Sequence, residues 1–505
     1  MTTAATLATL GQKVLVLEQH YVPGGFTHMF KRPGYEWDVG VHAVGEVTPH
    51  TMPGRLLEKL TQGQLQWASL GPVYEEFSYP GGFKLEFPDS PQQFVKNLKG
   101  AFPSQGDAID RYMGLIKEVS AQMRKYYLAR TLPHQLSGVA DWALAGQAQK
   151  YLEMNTGQVL RSLTDDPKLR AVFAAQWAYY GSPPNRSSFA MQALVVKHFL
   201  HGAYYPVGGA KQIAFHLLKR VADAGGWTRV SSPVKEIILE QGRAVGVRLA
   251  SGEEVRAPQV ISAVGVGATA QRLLPPSECE ADWVQQVKAL APAPAHVCLY
   301  LGMKGDARAA GAGSANKWFC HTWDADIESW LIDPAKGAQQ PQAPVLYCSF
   351  PSMKDPLHDP GPESRHTGEV VTFVPWRVFE PWMGSRWQKR GPDYGEFKAQ
   401  LQASMLEQFL TEMPGLRGMI DHVEMSTPLS TDNFCRPQRG SIYGLEPTPA
   451  RFRCRWLRPR APIPGLYFSG SEVASVGVMG AMMGGALAAV AAQPKRAFQL
   501  MRSIS

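Results

Sequence analysis

The chain begins with an apolar stretch, Thr2 to Leu10, then a Gly11 turn, then Val14-Leu15-Val16-Leu17-Glu18. The Ala- and Leu-rich stretch predicts a helix, and the branched run predicts a buried strand. Helix, tight turn, apolar strand and terminal Glu form the second half of a dinucleotide-binding βαβ unit. In that unit the carboxylate ending the second strand accepts a hydrogen bond from a ribose hydroxyl. The unit therefore demands an α/β class, with a parallel sheet covered by helices. The first strand and Gly-rich phosphate turn of the unit do not occur in the sequence. That turn supplies backbone N–H donors to pyrophosphate. Charge-assisted contacts of this kind contribute about 1.5–3 kcal/mol each, so without them phosphate binding is expected to weaken at least about a hundredfold.

A chain of 505 residues accommodates two or three domains. No apolar run is long enough to span a bilayer, and no basic n-region precedes the first apolar stretch, so a signal peptide is not expected. The cysteines Cys279, Cys298, Cys320, Cys348, Cys435 and Cys454 form no CxxC pair. Reduced, buried thiols in the cytoplasm are the expectation. The net charge is +8, and the densest basic run is Arg451-Phe452-Arg453-Cys454-Arg455-Trp456-Leu457-Arg458-Pro459-Arg460. It reads as a solvated surface strand paired with acids, or as a contact for an anionic membrane surface. Nucleic acid is not the expected partner.

Tyr205-Pro206-Val207-Gly208-Gly209 predicts a turn into an amphipathic helix, Ala210 to Ala224. Strands are expected over Val234–Leu239, Ala244–Leu249 and Val260–Val264, a small meander returning to a core strand. Helical spacing marks Gly106 to Arg130 and Trp142 to Leu163, and 292–428 mixes strands and helices with many aromatics. Residues 1–100, 201–270 and 435–505 are expected to assemble a cofactor domain. Residues 101–200 and 271–434 then form a substrate domain, the first part helical.

Two glycine-rich blocks carry the chemistry. The first is Pro23-Gly24-Gly25-Phe26-Thr27 with Gly34-Tyr35-Glu36-Trp37-Asp38-Val39-Gly40-Val41-His42. Paired glycines let backbone approach a cofactor closely, although Pro-Gly-Gly alone is equally an ordinary loop. The second is Pro464-Gly465-Leu466-Tyr467-Phe468-Ser469-Gly470-Ser471-Glu472, then Gly477-Val478-Met479-Gly480-Ala481-Met482-Met483-Gly484-Gly485-Ala486. Glu472 is placed to accept from a ribityl hydroxyl, and a helix starting near Gly480 directs free N–H groups at an electron-rich ring edge. A helix using Gly and Ala merely for close packing is the rival reading. His198 and His201, at i,i+3, lack a third ligand at useful spacing, so no metal is expected. Trp376, Trp382 and Trp387 read as core aromatics or as the lining of an apolar tunnel.

Taken in order, these blocks resemble the flavin-dependent superfamily of phytoene desaturases, carotenoid isomerases and retinol saturases, nearest the retinol saturase and carotenoid isomerase branch. The resemblance rests on Lys13 to Gly25, Asp38-Val39-Gly40-Val41-His42, Gly202 to Gly209, Ser426-Thr427-Pro428-Leu429, Arg439-Gly440-Ser441-Ile442-Tyr443-Gly444 and the C-terminal block. It implies a two-dinucleotide-binding-domain flavoprotein, a Rossmann-like FAD domain lacking its first strand and GxGxxG, with an inserted α+β substrate domain. It also implies FAD, a retinoid or carotenoid polyene, peripheral membrane docking, and NAD(P)H as a candidate electron donor. Phe26 departs from the Arg that follows the Gly pair in many amine-oxidase-like flavoproteins. The implied cofactor set is Glu18, Gly24, Gly25, Gly40, Val41, Val234, Gly470, Glu472, Gly477, Val478, Met479 and Gly480. His42 is the expected polar group near the flavin, as proton donor or as structural histidine, with Tyr443 and Arg439 on the substrate side. Saturation of a C=C bond is the expected reaction; isomerisation and desaturation are alternatives, as is a non-catalytic form that cannot hold FAD.

Overall fold

The computed structural model describes residues 1–132, 138, 145–327 and 329–504. The helix expected from Trp142 begins outside these residues; its described parts are Gly146–Glu153 and Thr156–Leu163.

The first helix, Thr2–Thr9, buries nearly all its side chains. Gly11, at φ 82°, turns the chain into the strand Leu15–Leu17. That strand pairs in parallel with Trp227–Arg229, Leu15 opposite Trp227 and Leu17 opposite Arg229. A parallel partner requires a crossover, and the helix Lys211–Asp223 immediately before Trp227 supplies its last leg, packing on the first helix. A second parallel pair joins Val260–Ser262 to Leu466–Phe468. The helix that follows, Gly477–Ala492, also packs on Thr2–Thr9. Thr3 Oγ1 donates to the Gly485 carbonyl at 2.9 Å and lies 2.8 Å from Ser469 Oγ. Segments from the start, middle and end of the chain thus form one layered body.

Side-chain size decides this packing. A Cβ on Gly484 would lie 2.0 Å from the Gly470 carbonyl oxygen, and one on Gly485 would lie 2.9 Å from Thr2 Cβ. The small-residue stripe of this helix therefore has a packing cause. Its first residue is Gly477, three residues earlier than the sequence suggested.

A seven-stranded sheet forms the second body. Its order is Ile420–Ser426, Ala295–Lys304, Arg365–Val374, Val345–Ser349, Asn316–Cys320, Val73–Tyr79, Phe83–Pro88. All neighbours are antiparallel except Asn316–Cys320 beside Val73–Tyr79. This corrects the boundary expected at residue 100. The hairpin 73–88 belongs to the sheet of 295–426, where Phe77 stacks on Trp318 with centroids 5.4 Å apart. One face of the sheet carries Val297, Leu299, Leu346 and Val370 against the helix Pro392–Glu412. The other presents Trp318, Tyr347 and Phe373 to a helical block containing Gly106–Arg130 and Phe189–Phe199.

The Arg451–Arg460 run is not the solvated strand expected from its charge. It comprises the end of the short helix Pro449–Arg453, where Arg451 is buried, and an irregular segment in which Arg458 is buried. Arg451 donates to the carbonyls of Leu445, Ser471 and Glu472, so it braces the C-terminal block from behind. Among the described residues no helix is long and apolar enough to cross a membrane.

Candidate functional site

A cavity of about 1960 Å³ lies where the two bodies meet. Glu18 reaches it because its strand ends there; its carboxylate accepts from the His20 N–H at 2.8 Å. Gly24 and Gly25 border it with φ of 129° and 56°, a backbone that side chains resist. A Cβ added at Gly25, Gly470 or Gly477 would enter open space. These glycines leave a cradle that side chains would otherwise occupy. The first turn of Gly477–Ala492 places Gly477, Val478, Met479 and Gly480 along one wall, the first three with N–H groups that have no partner within the helix, and Val234 closes another. Free N–H groups and a helix dipole suit an anionic or electron-rich ring edge. The residues present fit a flavin.

Glu472 lines the cavity, but its carboxylate is already engaged. It accepts from the Leu445 N–H at 3.0 Å and from the Val266 N–H. Burial nonetheless pushes its carboxyl up from the ordinary range. Glu472 therefore ties three chain segments together at the wall, with lone pairs to spare.

Two expected residues lie elsewhere. Val41 packs into the core with Leu56, Leu57 and Ile213, while its neighbours Gly40 and His42 line the cavity. Arg439 sits in a left-handed turn at φ 49° and is exposed outside the cavity. Tyr443 does line it, its ring packed where a Cβ on Gly181 would approach within 2.5 Å. Of the three tryptophans, Trp382 stacks on Phe397 and Trp376 packs behind the sheet. The aromatic wall is instead Trp318, Tyr347, Phe373, Tyr179 and Phe199. His198 Nε2 accepts the Gly45 N–H at 2.8 Å, and its Nδ1 faces Glu46 at 3.5 Å.

His42 stands at the cavity wall with Nδ1 2.7 Å from Glu369 Oε2, its ring edge-on to Tyr347 at 5.2 Å. Burial, reinforced by Lys354, lowers its imidazole to about 3, so it is neutral at pH 7. Behind it lies a sealed cluster that motif reading missed. Lys354 donates to the His42 carbonyl at 2.7 Å, to Ser349 Oγ at 2.7 Å and to Asn316 Oδ1. Burial brings its ammonium down to about 7. Asp38 accepts from Tyr205 Oη at 2.5 Å and from the Ala210 N–H at 3.1 Å. Burial and the nearby Glu369 raise it to about 7. Burial raises Glu75 to about 7 and Glu369 well above the ordinary carboxylate range. One signal was readable: Glu369 directly precedes the largely apolar run Val370-Val371-Thr372-Phe373-Val374. Lys354, in a polar loop, offered none.

The comparisons with known proteins agree with this geometry. The chain is 31% identical over 499 residues to an all-trans-retinol 13,14-reductase of Danio rerio, covering 95% of this chain and 82% of that one. It is 26% identical over 502 residues to a chloroplastic prolycopene isomerase of Daucus carota, covering 95% and 76%. A crystal structure of an oxidoreductase from Methanosarcina mazei matches with a TM-score of 0.60 at 16% identity, covering 96% of each chain, and shows the shared fold. The protein is a flavin-dependent oxidoreductase near the retinol reductases and carotenoid isomerases. Residues 1–353 match the model of the flavin containing amine oxidoreductases, and the chain belongs to that family.

Proposed function

We propose that the protein uses FAD to reduce a C=C bond of a long apolar polyene, a retinoid or carotenoid. The observation that carries this reading is the cavity. Ordinary small-molecule sites run to roughly 300–1,000 Å³, and this one, about 1960 Å³, has room for a cofactor and a second long ligand. Its helix-terminus end suits the flavin, and its aromatic wall suits a polyene. FAD, when bound, supplies hydride chemistry. The protein's own groups hold the polyene in a dry slot, and His42 presents a neutral imidazole at the wall. The relatives named above support both substrate and reaction. Similarity to a prolycopene isomerase favours isomerisation as the second reading.

The helix Gly106–Arg130 brings Lys117 and Arg124 to the cavity and leaves Leu128 45% exposed. Basic and apolar groups at an opening suit peripheral docking on an anionic bilayer, from which the polyene enters.

The test is anaerobic incubation of flavin-loaded, reduced protein with retinol and carotenoid isomers, followed by chromatography and mass spectrometry. A gain of two hydrogens is expected. An unchanged mass at a new retention time establishes isomerisation instead, and loss of two hydrogens establishes desaturation.

A further inference from the structure

We propose that Glu369 holds the proton that saturates the substrate and passes it through the imidazole of His42, with Lys354 and Asn316 fixing the pair from behind. This rests on the reduction reading above. Adding hydrogen across a C=C bond needs a proton as well as a hydride, and burial makes the wall tyrosines Tyr179, Tyr347 and Tyr443 poor acids. Among the described residues that line the cavity, His42 is the one that stands in direct contact with Glu369. Its ring borders the cavity, while Nδ1 lies 2.7 Å from a carboxyl sealed from solvent. The approach is bent away from an ideal hydrogen bond, as catalytic contacts often are before substrate tightens them.

The surroundings decide which partner holds the proton. Asp38, Glu75 and Glu369 are all fully buried, and Lys354 is the cation among them. His296, Tyr300 and Cys298 face Glu369 from the strand on one side, Tyr347 and Ser349 from the strand on the other, and Tyr205 from behind Asp38. One lysine cannot neutralise three carboxylates in a low-dielectric interior, so protons stay on the acids. Glu369 is thus a carboxylic acid beside a neutral imidazole, 2.7 Å from its Nδ1 and needing only a straightened approach to donate to it.

The step balances. His42 Nε2–H breaks as a C–H bond forms on one alkene carbon. Nδ1–H forms as the Glu369 O–H breaks. The imidazole ends neutral in its other tautomer, and the negative charge rests on Glu369, facing Lys354. The electron pair arrives at the other alkene carbon as hydride from reduced flavin, whose oxidation completes the reduction.

The experiment compares the full chain with Glu369→Gln and Glu369→Asp. Two readouts need no turnover. At neutral pH the infrared spectrum should contain protonated-carboxyl stretches that shift in D₂O, and Glu369→Gln should remove one component while those of Asp38 and Glu75 remain. Histidine ¹⁵N NMR should show His42 neutral, protonated at Nε2. In turnover, Glu369→Gln should lose at least about 100-fold in kcat with KM and flavin content unchanged. It should also lose the alkaline fall of the pH profile, because a donor carboxyl fails as it ionises. Glu369→Asp should restore part of the rate. The relay is overturned by a Gln variant with wild-type kcat, or by a carboxyl spectrum that Glu369→Gln leaves unchanged, even in an enzyme that reduces polyenes. Both spectroscopic signatures in a protein that only isomerises polyenes uphold the proton placement and overturn the reduction reading instead.

Discussion

Asp38 is the sharpest test of the buried acid cluster. Its carboxyl is fully buried and raised from 3.8 to about 7 by desolvation and by Glu369. A folded value above the unfolded one means the folded state binds the proton more tightly. The stability contribution is therefore complete below about pH 4 and is lost as pH rises towards about 7. The full shift of about 3 units corresponds to about 4 kcal/mol. About two units of it lie above pH 5, or about 3 kcal/mol. Asn is a neutral isostere of the protonated acid. It still accepts from the Ala210 N–H, and Tyr205 Oη turns to accept from its amide. Asp38→Asn should match wild type near pH 4 and gain on it by about 3 kcal/mol between pH 5 and 8, a large share of a typical 5–15 kcal/mol. Urea unfolding at pH 5 and pH 8, followed by intrinsic fluorescence, measures the gap. If the Asn variant is destabilised equally at both pH values, Asp38 is an ordinary ionised carboxylate and the account of the cluster is wrong.

Gly484→Ala puts a Cβ 2.0 Å from the Gly470 carbonyl, so the helix must shift. Overpacking of this kind costs about 1–3 kcal/mol, and bound-flavin absorbance after purification should fall; full retention would refute the packing role. Arg439→Ala should leave turnover within about twofold of wild type, since the side chain is exposed outside the cavity; a larger loss in steady-state rates would return it to the site. Leu128→Glu should reduce flotation with anionic liposomes at low salt, and unchanged flotation would locate any membrane contact elsewhere.

What the sequence determined by itself was local. Gly11 between an Ala-rich helix and a Val-Leu strand, and Gly470 to Gly480 after Leu466–Phe468, declare a nucleotide-cofactor fold because helix period, strand composition and positive φ are short-range properties. The position of His42 at the cavity followed from the same punctuation. Only the tertiary structure decided what lies beside what. Nothing near residue 75 announces that its strand pairs with Asn316–Cys320 as well as with its hairpin partner Phe83–Pro88. A run of five arginines looks solvated until two of them are found buried on backbone carbonyls. Asp38, Glu75, Lys354 and Glu369 are hundreds of positions apart at the extremes, and each alone reads as a surface charge. Their proton balance exists only because folding removes all four from water together, and desolvation is a property of the assembled interior, not of any segment.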